Sequence, residues 1–172
     1  MFERNPHGLK TRATTRELVS QQANNMTVNV LILTESLRRQ IEAEGVAAYP
    51  NECCGILIGR DLTEGGATLR VVERLEPGRN VFEKEEQYHR FSIDPAQQLK
   101  AERAAEQEGK LVLGYYHSHP DHPARPSEYD RQHAWPFYSY VIVAIANRIP
   151  AAMTSWVLDD QTETFGEQKI ET

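Results

Sequence analysis

The chain has 172 residues, 40% of them hydrophobic and 26% charged, which is the balance of one globular domain with its own core and excludes a wholly disordered polymer. Its net charge of −6 gives no electrostatic reason to bind nucleic acid or an anionic membrane, and the longest apolar run, residues 141–146, is far below the ~20 residues that a spanning helix needs. The two cysteines, Cys53 and Cys54, are neighbours, so a bridge between them would close almost no loop. A disulfide scaffold is thereby excluded, and with no charged-then-apolar leader at the start the expected setting is reducing and cytoplasmic.

Residues 1–25 hold few large apolar side chains and set Arg4, Lys10, Arg12 and Arg16 against Glu3 and Glu17. They are read as a flexible tail before a folded domain over 26–172. The run VNVLIL is β-rich, and Thr34 then caps a helix to about Ala48 with Leu37 and Ile41 on one face. Tyr49-Pro50-Asn51 stops it. Residues 54–59 (CGILIG) form an apolar strand, and ATLRVVERLEP forms a second one, giving a hairpin with its loop at 61–66. Residues 77–90 are polar and irregular. Asp94 and Pro95 then open a helix that Gly109 ends. KLVLGYYHSH is a strand, and Pro120, Pro123 and Pro126 stiffen the loop after it. Ser127 opens a short helix, and three further strands follow at YSYVIVAIA, AAMTSWVLD and TETFGEQKI. Strands with interleaved helices place the chain in the α/β or α+β class.

The chemistry is concentrated in residues 114–130. On a strand, His117 and His119 project to one face; on a helix, Ser127 and Asp130 share a face. A proline-bound loop can fold that helix start back over the strand end. Two imidazoles and one carboxylate would then meet, a donor set that suits Zn²⁺ and leaves a fourth position for water. Each half also has a plainer reading: the His-x-His pair as a structural or surface feature, and Ser127-x-x-Asp130 as a helix cap. His89 and His133 have no partner at metal spacing.

The joint pattern resembles the JAMM, or MPN+, zinc metalloproteases (the JAB1/MPN domain), in which a distant glutamate precedes His-x-His, seven residues, Ser, two residues, Asp. Here HSHPDHPARPSEYD fits without a gap, and the distant glutamate matches Glu52 in PNECCG. The resemblance covers roughly residues 28–158 and is greatest to small stand-alone prokaryotic members. It implies a single α/β (α+β) domain with a curved mixed sheet flanked by helices, of the cytidine-deaminase-like kind. It implies that His117, His119 and Asp130 hold one Zn²⁺, that Glu52 is general base and then general acid, and that Ser127 hydrogen-bonds the developing oxyanion or fixes the water.

For partners, the resemblance implies a ubiquitin-like or sulfur-carrier protein of β-grasp fold. Its glycine-ended tail would pair beside an exposed strand and enter a narrow channel. Asn80 and Phe82 of segment 77–90, with His122 of the proline loop, are the candidate substrate contacts. Trp135 and Phe137 are read as packing, and the cysteines as small semi-buried residues. No nucleic-acid or membrane partner is expected, and a homodimer is left open. A cysteine-ligated zinc deaminase is disfavoured because its signature is missing. Two rivals stand beside the peptidase: a non-catalytic MPN-type scaffold, and a metal hydrolase of small peptides.

Overall fold

A computed structural model describes residues 28–64 and 67–172; the tail expected over 1–25 lies outside them. The described elements run β1 (Val28–Ile32), α1 (Glu35–Ala48), β2 (Cys54–Glu64), β3 (Ala67–Gly78), a 3₁₀ turn (Lys84–Glu86), α2 (Pro95–Gln107), β4 (Leu111–Pro120), α3 (Glu128–His133), β5 (Ser139–Ala146), β6 (Ile149–Leu158) and β7 (Phe165–Glu171). The strands form a mixed sheet in the order β1-β3-β2-β4-β5-β6-β7, and parallel pairing of β1 with β7 closes it into a barrel. The expected curved mixed sheet is present. Its closure depends on the first and last strands meeting, which no local pattern encodes.

The helix boundaries follow their capping chemistry. Thr34 Oγ1 accepts from the Leu37 N–H at the start of α1, and Asp94 accepts from Ala96 N–H with Pro95 at the first turn of α2. Gly109, at φ +65°, ends α2 in a backbone conformation that glycine adopts freely. The β2–β3 hairpin departs from expectation. Residues 61–64, expected in the loop, continue the strand to Glu64, and Asp61 lies directly across from Arg70. The reason is an ion pair: Arg70, fully buried, donates from Nε and Nη2 to the two Asp61 carboxylate oxygens at 2.9 and 3.0 Å. It also donates to the Leu113 and Phe137 carbonyls. A polar residue inside a strand is stable there because its charge is paired.

The two faces of β2 feed two separate cores, as period 2 requires. Leu57 packs with Ile41 of α1 and with Leu31, Tyr116, Val141 and Val143. Cys54, Ile56 and Ile58 pack against Ala101 and Ala105 of α2. On β4 the pairing to β2 slips by one residue at Leu113, which sends Leu113 and Tyr116 to the first core and Val112 and Tyr115 to the second. Such a bulge re-aims the side chains that follow it. Beyond it, regular parallel pairing with β5 sets His117 beside Ile142 and His119 beside Ala144.

That close β4–β5 approach begins at Gly114, where an added Cβ would stand 1.9 Å from the Ser139 carbonyl oxygen. Gly114→Ala should therefore force the two strands apart and destabilise the protein by about 3 kcal/mol, the upper range for overpacking, measured from urea unfolding midpoints.

Candidate active site

His117 and His119 leave the same face of β4 and are both buried, with 1% and 7% of their surface exposed. Their Nε2 atoms are 2.9 Å apart. The His119 Nδ1–H donates to the Pro123 carbonyl at 2.9 Å; since that oxygen only accepts, His119 presents a lone pair from Nε2 when neutral. Phe91 stacks on the His117 ring at 4.5 Å, and His117 Nδ1 is buried without a hydrogen-bond partner.

The proline loop brings the third group. Asp121 starts it: the carboxylate accepts from Tyr49 Oη at 2.7 Å and from the Asn147 N–H at 2.9 Å. Ala124 then packs on Ile142 and Ala144, the β5 partners of the histidines, and Thr154 Oγ1 donates to the Ala124 carbonyl. This docking turns Ser127 and α3 over the end of β4. Ser127 caps α3 in a full capping box: its Oγ accepts from the Asp130 N–H at 3.1 Å, while Asp130 Oδ2 accepts from the Ser127 N–H at 2.6 Å and from its hydroxyl at 2.7 Å. The cap and the cluster coexist, because Asp130 Oδ1 lies 3.4 Å from His117 Nε2 and Oδ2 lies 3.6 Å from His119 Nε2.

Glu52 arrives from the α1–β2 connection, 5% exposed, with Oε1 4.0 Å from His119 Nε2. Burial pushes its carboxyl up to about 8, against the pull of His119 and with repulsion from Asp130 adding to the rise. Burial would raise Asp130 as well, but the charge attraction and hydrogen bonds of His117, with those from His119 and Ser127, hold it well below the usual carboxylate range. Burial pushes His117 down, whereas Asp130 and Glu52 outweigh burial at His119 and hold it up. Two carboxyls beside the same histidine thus differ sharply in proton affinity.

His117, His119 and Asp130 offer donor atoms that all lie within 4.8 Å of one another. Two imidazole nitrogens and a carboxylate oxygen form a donor set for a divalent transition metal, and the Pro123 carbonyl fixes the second nitrogen of His119 as metal-site histidines require. The residues fit such an ion.

Among the substrate candidates, Asn80 has its amide filled by the backbone. Nδ2 donates to the Glu52 and Arg90 carbonyls at 3.3 and 2.9 Å, and Oδ1 accepts from the Phe82 and Ser92 N–H groups at 3.0 and 3.2 Å. It holds the wall beside Glu52 in place of presenting a free group. Phe82 meets Tyr129, the neighbour of Asp130, edge-on at 5.8 Å. His122 is exposed in the proline loop. The packing expected of Trp135 does not occur: it is 72% exposed, because its short connection leaves α3 without reaching a core. Phe137, also exposed, lays its ring over Arg70 at 4.6 Å. Both cysteines are buried thiols, pushed by burial to about 11 and about 12.

Residue pattern alone missed Gln87 and Ser118. The Gln87 carbonyl accepts the Glu52 N–H at 2.7 Å, and Ser118 Oγ accepts the Cys53 N–H at 2.9 Å. Ser118 is the middle residue of His-x-His and so must face the other way, which was the available signal. Gln87 carried none, because its part is played by main chain.

The family described as prokaryotic homologs of the JAB domain matches residues 34–159. The chain is 33% identical over 143 residues to the desampylase of Haloferax volcanii, covering 80% of this chain and 96% of that one. It is 35% identical over 113 residues to a probable TtuB-protein conjugate cleaving protease of Thermus thermophilus, covering 66% and 69% respectively. The solution structure of protein DSY2949 from Desulfitobacterium hafniense superposes with a TM-score of 0.68 at 33% identity, over 83% of this chain and 91% of that chain.

Replacing Asn80 by Ala should orphan two part-buried N–H groups and cost about 1–3 kcal/mol. Hydrogen exchange should show Phe82 and Ser92 amides exchanging faster while β4 amides keep their protection.

Proposed function

The chain belongs to the prokaryotic homologs of the JAB domain, and on that premise we propose that it is a zinc-dependent peptidase and isopeptidase. Its substrate is the amide bond at the C-terminal Gly-Gly tail of a ubiquitin-like or sulfur-carrier protein. The observation that carries this reading is the convergence of His117, His119 and Asp130, at 2.9 to 3.6 Å, beside a carboxyl that holds its proton near neutrality. The relatives named for desampylation and for cleaving a protein conjugate support the substrate class.

His117 Nε2, His119 Nε2 and an Asp130 oxygen would hold the zinc. When bound, it supplies Lewis acidity, brings the pKa of a water to about 7 and, by its charge, lowers the proton affinity of the neighbouring carboxyl. Glu52 takes the proton from the attacking water and delivers it to the departing nitrogen, so one carboxyl serves as base and then acid. Its backbone is held on both sides, N–H by the Gln87 carbonyl and C=O by Asn80, which fixes where that proton moves. Ser127 gives its hydroxyl proton to Asp130 Oδ2; turning it onto the tetrahedral oxyanion exchanges one charge-assisted hydrogen bond for another. The barrel pairs each strand on both sides over part of its length, so an extended tail would enter along strand ends and the 77–90 segment.

Purified protein should carry about one zinc per chain, as a three-residue site with an open position requires. Glu52→Gln should keep that zinc and lose cleavage by roughly 10²–10⁴-fold, read by mass spectrometry on carrier proteins with C-terminal extensions, with and without chelator. Metal content without cleavage of any carrier would favour the scaffold reading, and cleavage confined to free peptides would favour the small-peptide hydrolase.

A further inference from the structure

A cavity of about 230 Å³ opens beside the cluster, sharing Asp130 with it and walled by Phe91, Tyr115, Tyr129, Trp135 and Tyr140. Phe91 joins the two, stacked on the His117 ring at 4.5 Å and also lining the cavity. We propose that, where the bond cleaved joins the tail to the α-amine of a following residue, this cavity receives that residue's side chain, and that it selects a large apolar side chain, above all an aromatic one. The proposal rests on the peptidase reading above.

Three observations carry it. The first is size: small-molecule sites occupy roughly 300–1,000 Å³, so this cavity fits one side chain, not a cofactor. The second is polarity. Several polar groups on its wall already serve one another: Gln98 Nε2 donates to Tyr115 Oη at 2.9 Å, Tyr140 Oη accepts the Trp135 N–H at 2.8 Å, and His133 Nδ1 meets the Tyr129 carbonyl at 2.8 Å. The lining includes no lysine or arginine, and its one carboxylate is Asp130, so an acidic side chain would meet like charge with no fixed cation to pair with. The third is Trp135. Its backbone is tied to Tyr140 Oη through both its N–H and its carbonyl, yet the residue is 72% exposed. An indole whose backbone is held at the cavity wall while its surface stays in water gains most from an apolar occupant. A tail that ends in glycines has no side chain to fill the cavity, which leaves the residue on the far side of the scissile bond.

The test uses the full chain and two product mimics, phenylalaninamide and alaninamide, titrated by intrinsic fluorescence, with carrier proteins ending in Gly-Gly-Phe and Gly-Gly-Ala assayed alongside. Phenylalaninamide should bind tighter by roughly tenfold or more, and the Phe extension should be cleaved with a kcat/KM higher by a similar factor. In Trp135→Ala, a change at an exposed position, the preference should fall to about twofold or less, while Trp135→Phe should retain most of it. Equal behaviour of the two mimics, including binding of neither, overturns the proposal, as does a preference undiminished in Trp135→Ala. Equal cleavage of the two extensions likewise removes the selectivity and leaves the peptidase reading intact. Persistent phenylalaninamide preference with no Gly-Gly extension cleaved by zinc-loaded protein sinks the peptidase reading instead.

Discussion

Four ionisable side chains, Glu52, His117, His119 and Asp130, are withdrawn from water into one small volume at the end of β4. Burying a charge is costly unless it is paired, and removing one member of a buried pair typically costs about 3–5 kcal/mol. The group is tolerable only because each member answers another: Asp130 faces both imidazoles, His119 is tied to a carbonyl, and Glu52 keeps its proton. An arrangement of this kind is poorly suited to holding a fold together, and well suited to gripping a cation beside a carboxyl that can exchange a proton.

The rest of the fold serves to hold that group still. Parallel pairing of β4 with β5 sets the spacing of the two histidines, and the close approach at Gly114 lets the strands meet there. Packing of Ala124 on Ile142 and Ala144 folds the proline loop over them, so one hydrophobic contact delivers both the Pro123 carbonyl and the capped start of α3. On the opposite flank, the 77–93 segment is knitted to the Glu52 backbone through Asn80 and Gln87. The general lesson is that the atoms supporting a site are often main-chain groups, held by side chains that never touch the chemistry.

The same economy appears in the two aromatic residues after α3. Phe137 uses one face of its ring on the buried Arg70 guanidinium, a contact that joins the β2–β3 hairpin to the start of β5. Trp135, two residues earlier, finds no such surface and stays in water at the edge of the cavity beside Asp130. Composition treats them alike; position within the fold separates a packing residue from a rim residue.

The sequence by itself determined whatever depends on local periodicity and spacing. His117 and His119 had to share a face because strand side chains alternate, and Thr34, Asp94 and Ser127 had to start helices because their oxygens meet free N–H groups. The gap-free spacing through Asp130 likewise carried the family resemblance, and the match over 34–159 agrees with it. Only the tertiary structure decided the closure of the barrel, the continuation of β2 through Asp61 to its partner Arg70, the approach of Glu52 to His119 across 67 positions of chain, and the exposure of Trp135. The closure and the Glu52 approach are contacts between residues remote in sequence, and the other two depend on the packing around them. They are settled by which surfaces find each other in three dimensions, and no window of neighbouring residues contains that information.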